Sequence, residues 1–255
     1  MDQGGVHALT CKAGGAIMRR HHALVRLLAR LLQAAGYHVS EEVWEPRWDR
    51  PKLDRRGNQK FDAEGNPQWV RARLDLRLMA PPEEPLVYGD VVVSHPGAPP
   101  HALAAAETDG ATARKAALKK AGRYPPEEVP NARLVALAVE TGGRWDPDAL
   151  DFLKKAAGRA AQRHQGLSSL EGGGATAVFA TWLRQLACTL QRANVAALRG
   201  AAAAGARTEA SALRAAGERG SEAAGEEEEE EKDENDWLLE QIEELLAGAK
   251  ATAGA

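Results

Sequence analysis

Two aspartates in neighbouring apolar segments, Asp75 and Asp90, are the residues whose type and spacing best suit chemistry. Asp75 lies in RARLDLRL (residues 71–78) and Asp90 in LVYGDVVV (residues 86–93). An unpaired carboxylate inside a buried apolar run is unfavourable, so Asp90 in particular needs a partner. Like charges that face each other across two strands also destabilise a sheet unless something lies between them. A divalent cation held by both carboxylates is the site that these residues predict.

The two segments form a predicted β-hairpin that positions the aspartates. Leucines alternate with polar residues in the first segment, which is typical of a strand with one buried face: Leu74, Leu76 and Leu78. The second segment is nearly all apolar and predicts a central strand. If Pro81 to Pro85 form the turn, the antiparallel register sets Asp75 opposite Asp90 on one face of the sheet. The alternative for Asp75 is an exposed aspartate that pairs with Arg73 or Arg77.

The remaining pattern predicts an α/β fold with a small mixed sheet flanked by helices. The 47–68 stretch is charged, rich in Gly, Pro and Asn, and predicts an exposed loop without a regular pattern. Hydrophobic spacing and end signals predict helices over 16–35, 104–122, 146–164 and 175–198, and further strands over 37–44 and 131–139.

Charge is divided unevenly along the 255 residues, whose net charge is -3. Residues 1–224 carry 31 Lys and Arg against 24 Asp and Glu, whereas residues 225–255 carry 2 against 12. We therefore expect a folded domain over 16–199 after a leader over 1–15, then a disordered Ala/Gly-rich and acidic linker over 200–236. A short amphipathic helix over 237–248 follows, and it and the acidic tail are candidates for binding a protein partner, although a transient helix without a partner is the favoured alternative for 237–248.

Cysteine content and hydropathy indicate the cellular compartment in which the protein is expected. Two cysteines cannot form a disulfide framework, and no apolar run is long enough to span a membrane. We expect an intracellular protein without a membrane partner.

Several strings in order along the chain resemble one family. HALTCKAGG, RRHHALVRLLARLLQAAGYHV, WEP, ARLDLRL, GDVVVSHPGAP, KKAGRY, LAVETGGRW and WLRQLACTLQRAN run from His7 to Asn194. Together they resemble the restriction-like endonuclease region, of PD-(D/E)xK fold, that lies downstream of the reverse transcriptase in non-LTR-type retroelement proteins. The predicted order of a helix, a three-strand meander, a crossover helix and a further strand also matches that fold. The resemblance implies a nuclear enzyme that nicks target DNA with Mg²⁺ or Mn²⁺, so that the new 3′ end primes reverse transcription.

The resemblance assigns roles to particular residues. Asp75 and Asp90 take the places of the two metal-binding and catalytic aspartates. The family lysine is expected two residues after the second acid, where this chain has Val92. KKAGRY resembles a K-x-x-K-Y string of the family and puts Lys120 forward as the catalytic lysine, on the same helical stripe as a set of alanines that can press against the sheet: Ala113, Ala116 and Ala117. Lys119 and Lys115 are its rivals.

Further residues are candidates for supporting roles. Glu45, in WEP, is a possible third metal ligand, although such a glutamate can equally cap a loop. The predicted contacts to nucleic acid are all basic side chains: Arg20, His21, Arg73, Arg77 and Lys119. His7 and Cys11 look like half of a CCHC knuckle without its first two cysteines, so zinc is not expected. Because the usual lysine position and the knuckle are altered, a non-catalytic nucleic-acid-binding or protein-interaction module on the same fold is the alternative function.

Overall fold

A computed structural model describes residues 5–11, 15–79, 84–165 and 174–215. The chain divides into two units, one formed by Met1–Arg50 with Trp69–Glu209 and the other by Pro51–Gln68 with Ala210–Ala255. The predicted acidic segment, the predicted helix over 237–248 and most of the predicted turn at Pro81 to Pro85 lie outside the described residues.

A four-stranded mixed sheet, of order β1-β4-β5-β6, forms the centre of the first unit. Its first three strands are antiparallel, and β6 runs parallel to β5. The strands are β1 (His38–Trp44), β4 (Arg73–Met79), β5 (Leu86–Ser94) and β6 (Ala132–Glu140), and two-residue strands β2 (Arg50–Pro51) and β3 (Trp69–Val70) lie between β1 and β4 in the chain. The prediction of a mixed α/β protein with a small mixed sheet and flanking helices is confirmed.

Six α-helices accompany the sheet in the described ranges: α1 (Val6–Thr10), α2 (Ala16–Ala34), α3 (Ala102–Glu107), α4 (Ala111–Arg123), α5 (Pro147–Gln165) and α6 (Ala175–Ala215). The single helix predicted over 104–122 is two helices, because Gly110 takes a left-handed conformation (φ 77°) before α4. Helix α6 continues to Ala215, past residue 200, where the predicted disordered linker begins. Alanine, a strong helix former, dominates that stretch.

The two faces of the sheet pack differently. Alternate residues of β6 join the main core on one face, where α2, α5 and α6 supply large apolar side chains such as Leu28, Leu153 and Leu186. The intervening residues of β6 meet small side chains of α4, with Ala113 and Ala117 buried against Ala138. Because these side chains are small, α4 lies close to the sheet. This close packing also brings the lysines that α4 carries near the sheet.

The 51–68 segment contains two successive copies of the same turn. Oδ1 of Asp54 accepts hydrogen bonds from the backbone N–H groups of residues 56 and 58, and Oδ1 of Asp62 accepts them from residues 64 and 66. Gly57 and Gly65 supply the left-handed conformation that each turn requires, with φ 81° and 84°. The prediction of a loop without a pattern is therefore wrong: D-x-x-G-N recurs eight residues apart.

Candidate active site

The register of β4 and β5 brings Asp75 and Asp90 to the same level of the sheet. Leu78 pairs with Val87 and Leu76 with Gly89, and one further step along this antiparallel register sets Asp75 opposite Asp90. Backbone pairing stops before that step. Instead, Oδ2 of Asp75 accepts a hydrogen bond of 2.6 Å from the backbone N–H of Val91. The predicted juxtaposition is confirmed, at a point where the two strands separate.

Strand β1, which lies on the other side of β4, is also irregular at the level of Asp75. On β1, Glu41 pairs with Leu76 and Val43 with Leu74, whereas the intervening Glu42 has a φ of 52° and is not paired. A positive φ in a non-glycine residue is strained and is often found beside functional sites. Asp75 therefore lies where both flanking strands depart from regular pairing.

His21, on α2, holds the second oxygen of Asp75. Its Nε2 lies 2.9 Å from Oδ1, and the side chains of His21 and Asp75 are only 22% and 18% exposed. Burial acts to raise the pKa of Asp75, but the hydrogen bond and charge of His21, the bond from the N–H of Val91 and, while Asp90 is protonated, a bond from Asp90 outweigh it, so the pKa lies below its ordinary value. Asp75 is thus not the exposed partner of Arg73 or Arg77.

Lys120 is the lysine that reaches the second aspartate. Its Nζ lies 2.9 Å from Oδ2 of Asp90, which is 3% exposed. The predicted alanine stripe of α4 does face the sheet, and this contact brings the amine to β5. Lys119 is exposed and Lys115 is half-buried. The structure thus brings Lys120, the lysine that the sequence put forward, to Asp90.

Burial and the neighbouring carboxylate of Asp75 shift the protonation of Asp90. Burial raises its pKa to about 6, and the charge of Asp75 adds to this, while the ammonium of Lys120 opposes it. Oδ2 of Asp90 accepts no well-aligned hydrogen bond from the described part of the chain, although Lys120 is close. Asp90 is consequently ionised at pH 7 and above but takes up a proton in mildly acidic solution.

Tyr124, which was not among the predicted site residues, lies close enough to Asp90 for the charge of that carboxylate to affect the Tyr124 hydroxyl. Burial raises the pKa of its hydroxyl, and the charge of Asp90 raises it further. Tyr124 is buried in an apolar cluster that includes Trp48 and Tyr88. The signal was present in KKAGRY, where the tyrosine follows Lys120 by four residues at the end of α4.

Glu45 does not join the two aspartates. Its carboxylate accepts bonds from Arg47 Nε at 2.8 Å and Nη2 at 2.9 Å and from the hydroxyl of Tyr88, and it caps the 3₁₀ helix Pro46–Trp48. These bonds, that of Arg47 first, lower its pKa to about 2 despite burial. The capping alternative therefore replaces the metal-ligand assignment. No cluster of three or more His, Cys, Asp or Glu suited to a metal occurs within the described ranges.

The five residues predicted to contact nucleic acid lie in different environments. Arg20 is 3% exposed and donates hydrogen bonds to Asn194 Oδ1 at 3.1 Å and to the Leu9 carbonyl at 3.0 Å, so its assignment to DNA is wrong. His21 is occupied by Asp75. Arg73 and Lys119 are exposed and Arg77 is half-buried, and for these three side chains contact with DNA stays a prediction.

Comparison with known proteins does not identify the chain. A scan against protein-family models and a search of curated proteins both give no match. Among the helices that the structure describes, none combines the length and hydropathy needed to cross a membrane. The resemblance to a retroelement endonuclease therefore depends on the motifs and on the geometry of Asp75, Asp90 and Lys120.

Proposed function

We propose that the chain is a metal-dependent DNA endonuclease with a PD-(D/E)xK-type site made of Asp75, Asp90 and Lys120. The observation that carries the proposal is the convergence of two carboxylates and one ammonium from three separate elements, β4, β5 and α4. Structural ion pairs also perturb carboxylates, but a buried pair of like charges is a common arrangement in active sites.

The topology supports the same proposal. A helix, α2, precedes the meander β1-β4-β5, and α4 then crosses over to the parallel strand β6. This is the element order that the resemblance to PD-(D/E)xK enzymes implies. Fold order alone is an analogy, so the residues of the site carry more weight.

The residues present fit Mg²⁺ or Mn²⁺. Mg²⁺ is commonly held by one or two carboxylates together with waters and substrate phosphates, so Asp75 and Asp90 suffice as protein ligands. When bound, the ion would activate a water molecule and neutralise charge on the scissile phosphate.

Residues of the chain itself orient the metal-binding carboxylate and supply positive charge. His21 and the N–H of Val91 fix both oxygens of Asp75, which pre-orients this carboxylate. Lys120 carries a compact ammonium that balances Asp90 and can donate to the attacking water or to the phosphate as negative charge develops. Ionisation of Asp90 is needed for cation binding, so cleavage should increase as the pH rises through about 6.

The direct test is nicking of supercoiled plasmid by the full chain in Mg²⁺ or Mn²⁺ at pH 8. We expect Asp75→Asn, Asp90→Asn and Lys120→Met each to reduce the rate by about a hundredfold or more, since each removes a charge at the reacting phosphate. Asp151→Asn and Lys155→Met, on the exposed face of α5, are matched controls that leave the rate unchanged.

Two outcomes would redirect the proposal. Nicking that survives both aspartate changes would place the activity elsewhere or in a contaminant. DNA binding without metal-dependent nicking would favour the alternative, a non-catalytic nucleic-acid-binding module. If nicking is found, the resemblance leads us to propose that the cut primes reverse transcription in the nucleus.

A further inference from the structure

Two neighbouring helices lack negative charge over their described surfaces. Helix α2 contains no aspartate or glutamate, and α6 contains none before Glu209. Exposed arginines occur on both helices: Arg26 and Arg30 on α2, and Arg184, Arg192 and Arg199 on α6. No ion pair joins any of these five to a carboxylate in the described ranges, although exposed arginines elsewhere, such as Arg114 and Arg144, pair with aspartates.

The arginines of α6 border a continuous groove along the helix. A recess of about 480 Å³ lies between Leu27 of α2 and α6, lined by Arg184, Arg192 and the uncharged polar residues Thr181, Gln185 and Thr189. A second recess of about 400 Å³, lined by residues of α6 alone, adjoins the first at Arg192 and includes Arg199. The hydrogen bond between Arg20 and Asn194 fixes α2 against α6 beside the groove.

The spacing of the three arginines along α6 suits an anion with repeating charges, such as a nucleic-acid backbone. Arg184, Arg192 and Arg199 are separated by eight and seven residues, which returns each to the same side of the helix. At 1.5 Å per residue the separations are about 12 Å and about 10 Å. Threonine hydroxyls and glutamine amides are also common donors to phosphate and sugar.

We propose that the groove along α6 binds the sugar-phosphate backbone of DNA through Arg184, Arg192 and Arg199. Contacts of this kind are independent of sequence and hold the duplex without reading its bases. The inference rests on the proposed function in that it takes DNA as the substrate. It adds a surface that is separate from Asp75, Asp90 and Lys120 and replaces the buried Arg20 as a source of positive charge.

Fluorescence anisotropy tests the groove without requiring catalysis. The full chain is titrated into a fluorescein-labelled duplex of about 20 base pairs and arbitrary sequence, in EDTA, over about 50 to 200 mM KCl. The test variant is Arg184→Gln/Arg192→Gln, and the matched control is Lys154→Gln/Lys155→Gln, which removes the same charge from exposed positions of α5. Circular dichroism is used to check that the variants fold, since the change at Arg184 removes its hydrogen bond to Thr181 Oγ1.

We expect the groove variant to bind about tenfold more weakly at about 100 mM salt, with a salt slope lower by about two, while the control changes less than about twofold. Equal weakening of both variants, wild-type affinity in the groove variant, or no salt-sensitive binding by the wild type would overturn the inference. Nicking is scored separately in Mg²⁺. Groove-dependent binding without nicking would refute the proposed function alone, and nicking with a dispensable groove would refute the inference alone.

Discussion

Asp90 couples the protonation of the site to the stability of the protein. Its ordinary pKa of 3.8 rises to about 6 on folding, because the carboxylate is buried beside Asp75. Below pH 4 both states carry the proton, between pH 4 and pH 6 the folded state alone retains it, and stability is lost as the pH rises through the folded pKa. The loss at pH 8 is about 2 to 3 kcal/mol.

Replacing this carboxylate should therefore stabilise the fold in a pH-dependent manner. We expect Asp90→Asn to unfold at higher urea concentration than the wild type at pH 8, with the gain shrinking towards pH 4. Urea unfolding at several pH values measures this gain in stability. The control is Asp151→Asn, an exposed position on α5. A difference that is constant with pH would show that Asp90 does not carry the shifted pKa.

His21 should act on catalysis through Asp75. Removing its hydrogen bond and charge raises the pKa of Asp75, so His21→Ala should nick DNA about tenfold more slowly, with a larger loss at pH 6 than at pH 8. The pH profile of nicking is the measurement, and the exposed His38→Ala is the control. A uniform loss at every pH would indicate that His21 only supports the fold.

At the scale of elements, α4 delivers Lys120 because its inner face is made of small residues. Ala113 is fully buried, so a larger side chain there must push α4 from the sheet and separate Lys120 from Asp90. We expect Ala113→Leu to destabilise the protein by about 1 to 3 kcal/mol in urea unfolding and to slow nicking. Ala121→Leu, on the exposed side of α4, should do neither. Unchanged stability in Ala113→Leu would mean that α4 adapts without displacement.

Sequence periodicity predicted the elements better than it predicted the side chains. Alternating leucines located β4, and the register then followed, because pairing within a hairpin is tied to its turn. The partner of Asp75 could not be predicted this way: His21 is 54 residues away and reaches it only after α2 packs on the sheet. Arg20 and His21 looked alike as exposed basic residues, yet one residue of helical rotation sends Arg20 to Asn194 instead.

At the scale of the whole unit, one buried polar network links α1, α2, α6 and the end of the sheet. Arg20 bonds to the carbonyl of Leu9 and to Asn194, whose Nδ2 donates to the carbonyl of Thr141 just after β6. Gln191 donates to the same carbonyl. These contacts join residues as far as 174 positions apart, so the Q-R-x-N string could be noticed in the sequence but its role could not be derived.

Removing two members of this network should cost less than the sum of the two single losses. Asn194→Leu leaves the buried guanidinium of Arg20 and the Thr141 carbonyl short of partners, and we expect a loss of about 2 to 4 kcal/mol. Arg20→Met with Asn194→Leu removes the stranded charge as well, so the double variant should be less destabilised than the sum of the singles. Urea unfolding of the four proteins in the cycle measures the coupling, with Gln185→Leu as an exposed control on α6. Additive losses would mean that Arg20 finds solvent once Asn194 is gone, and that α2 and α6 are held together by their apolar contacts alone.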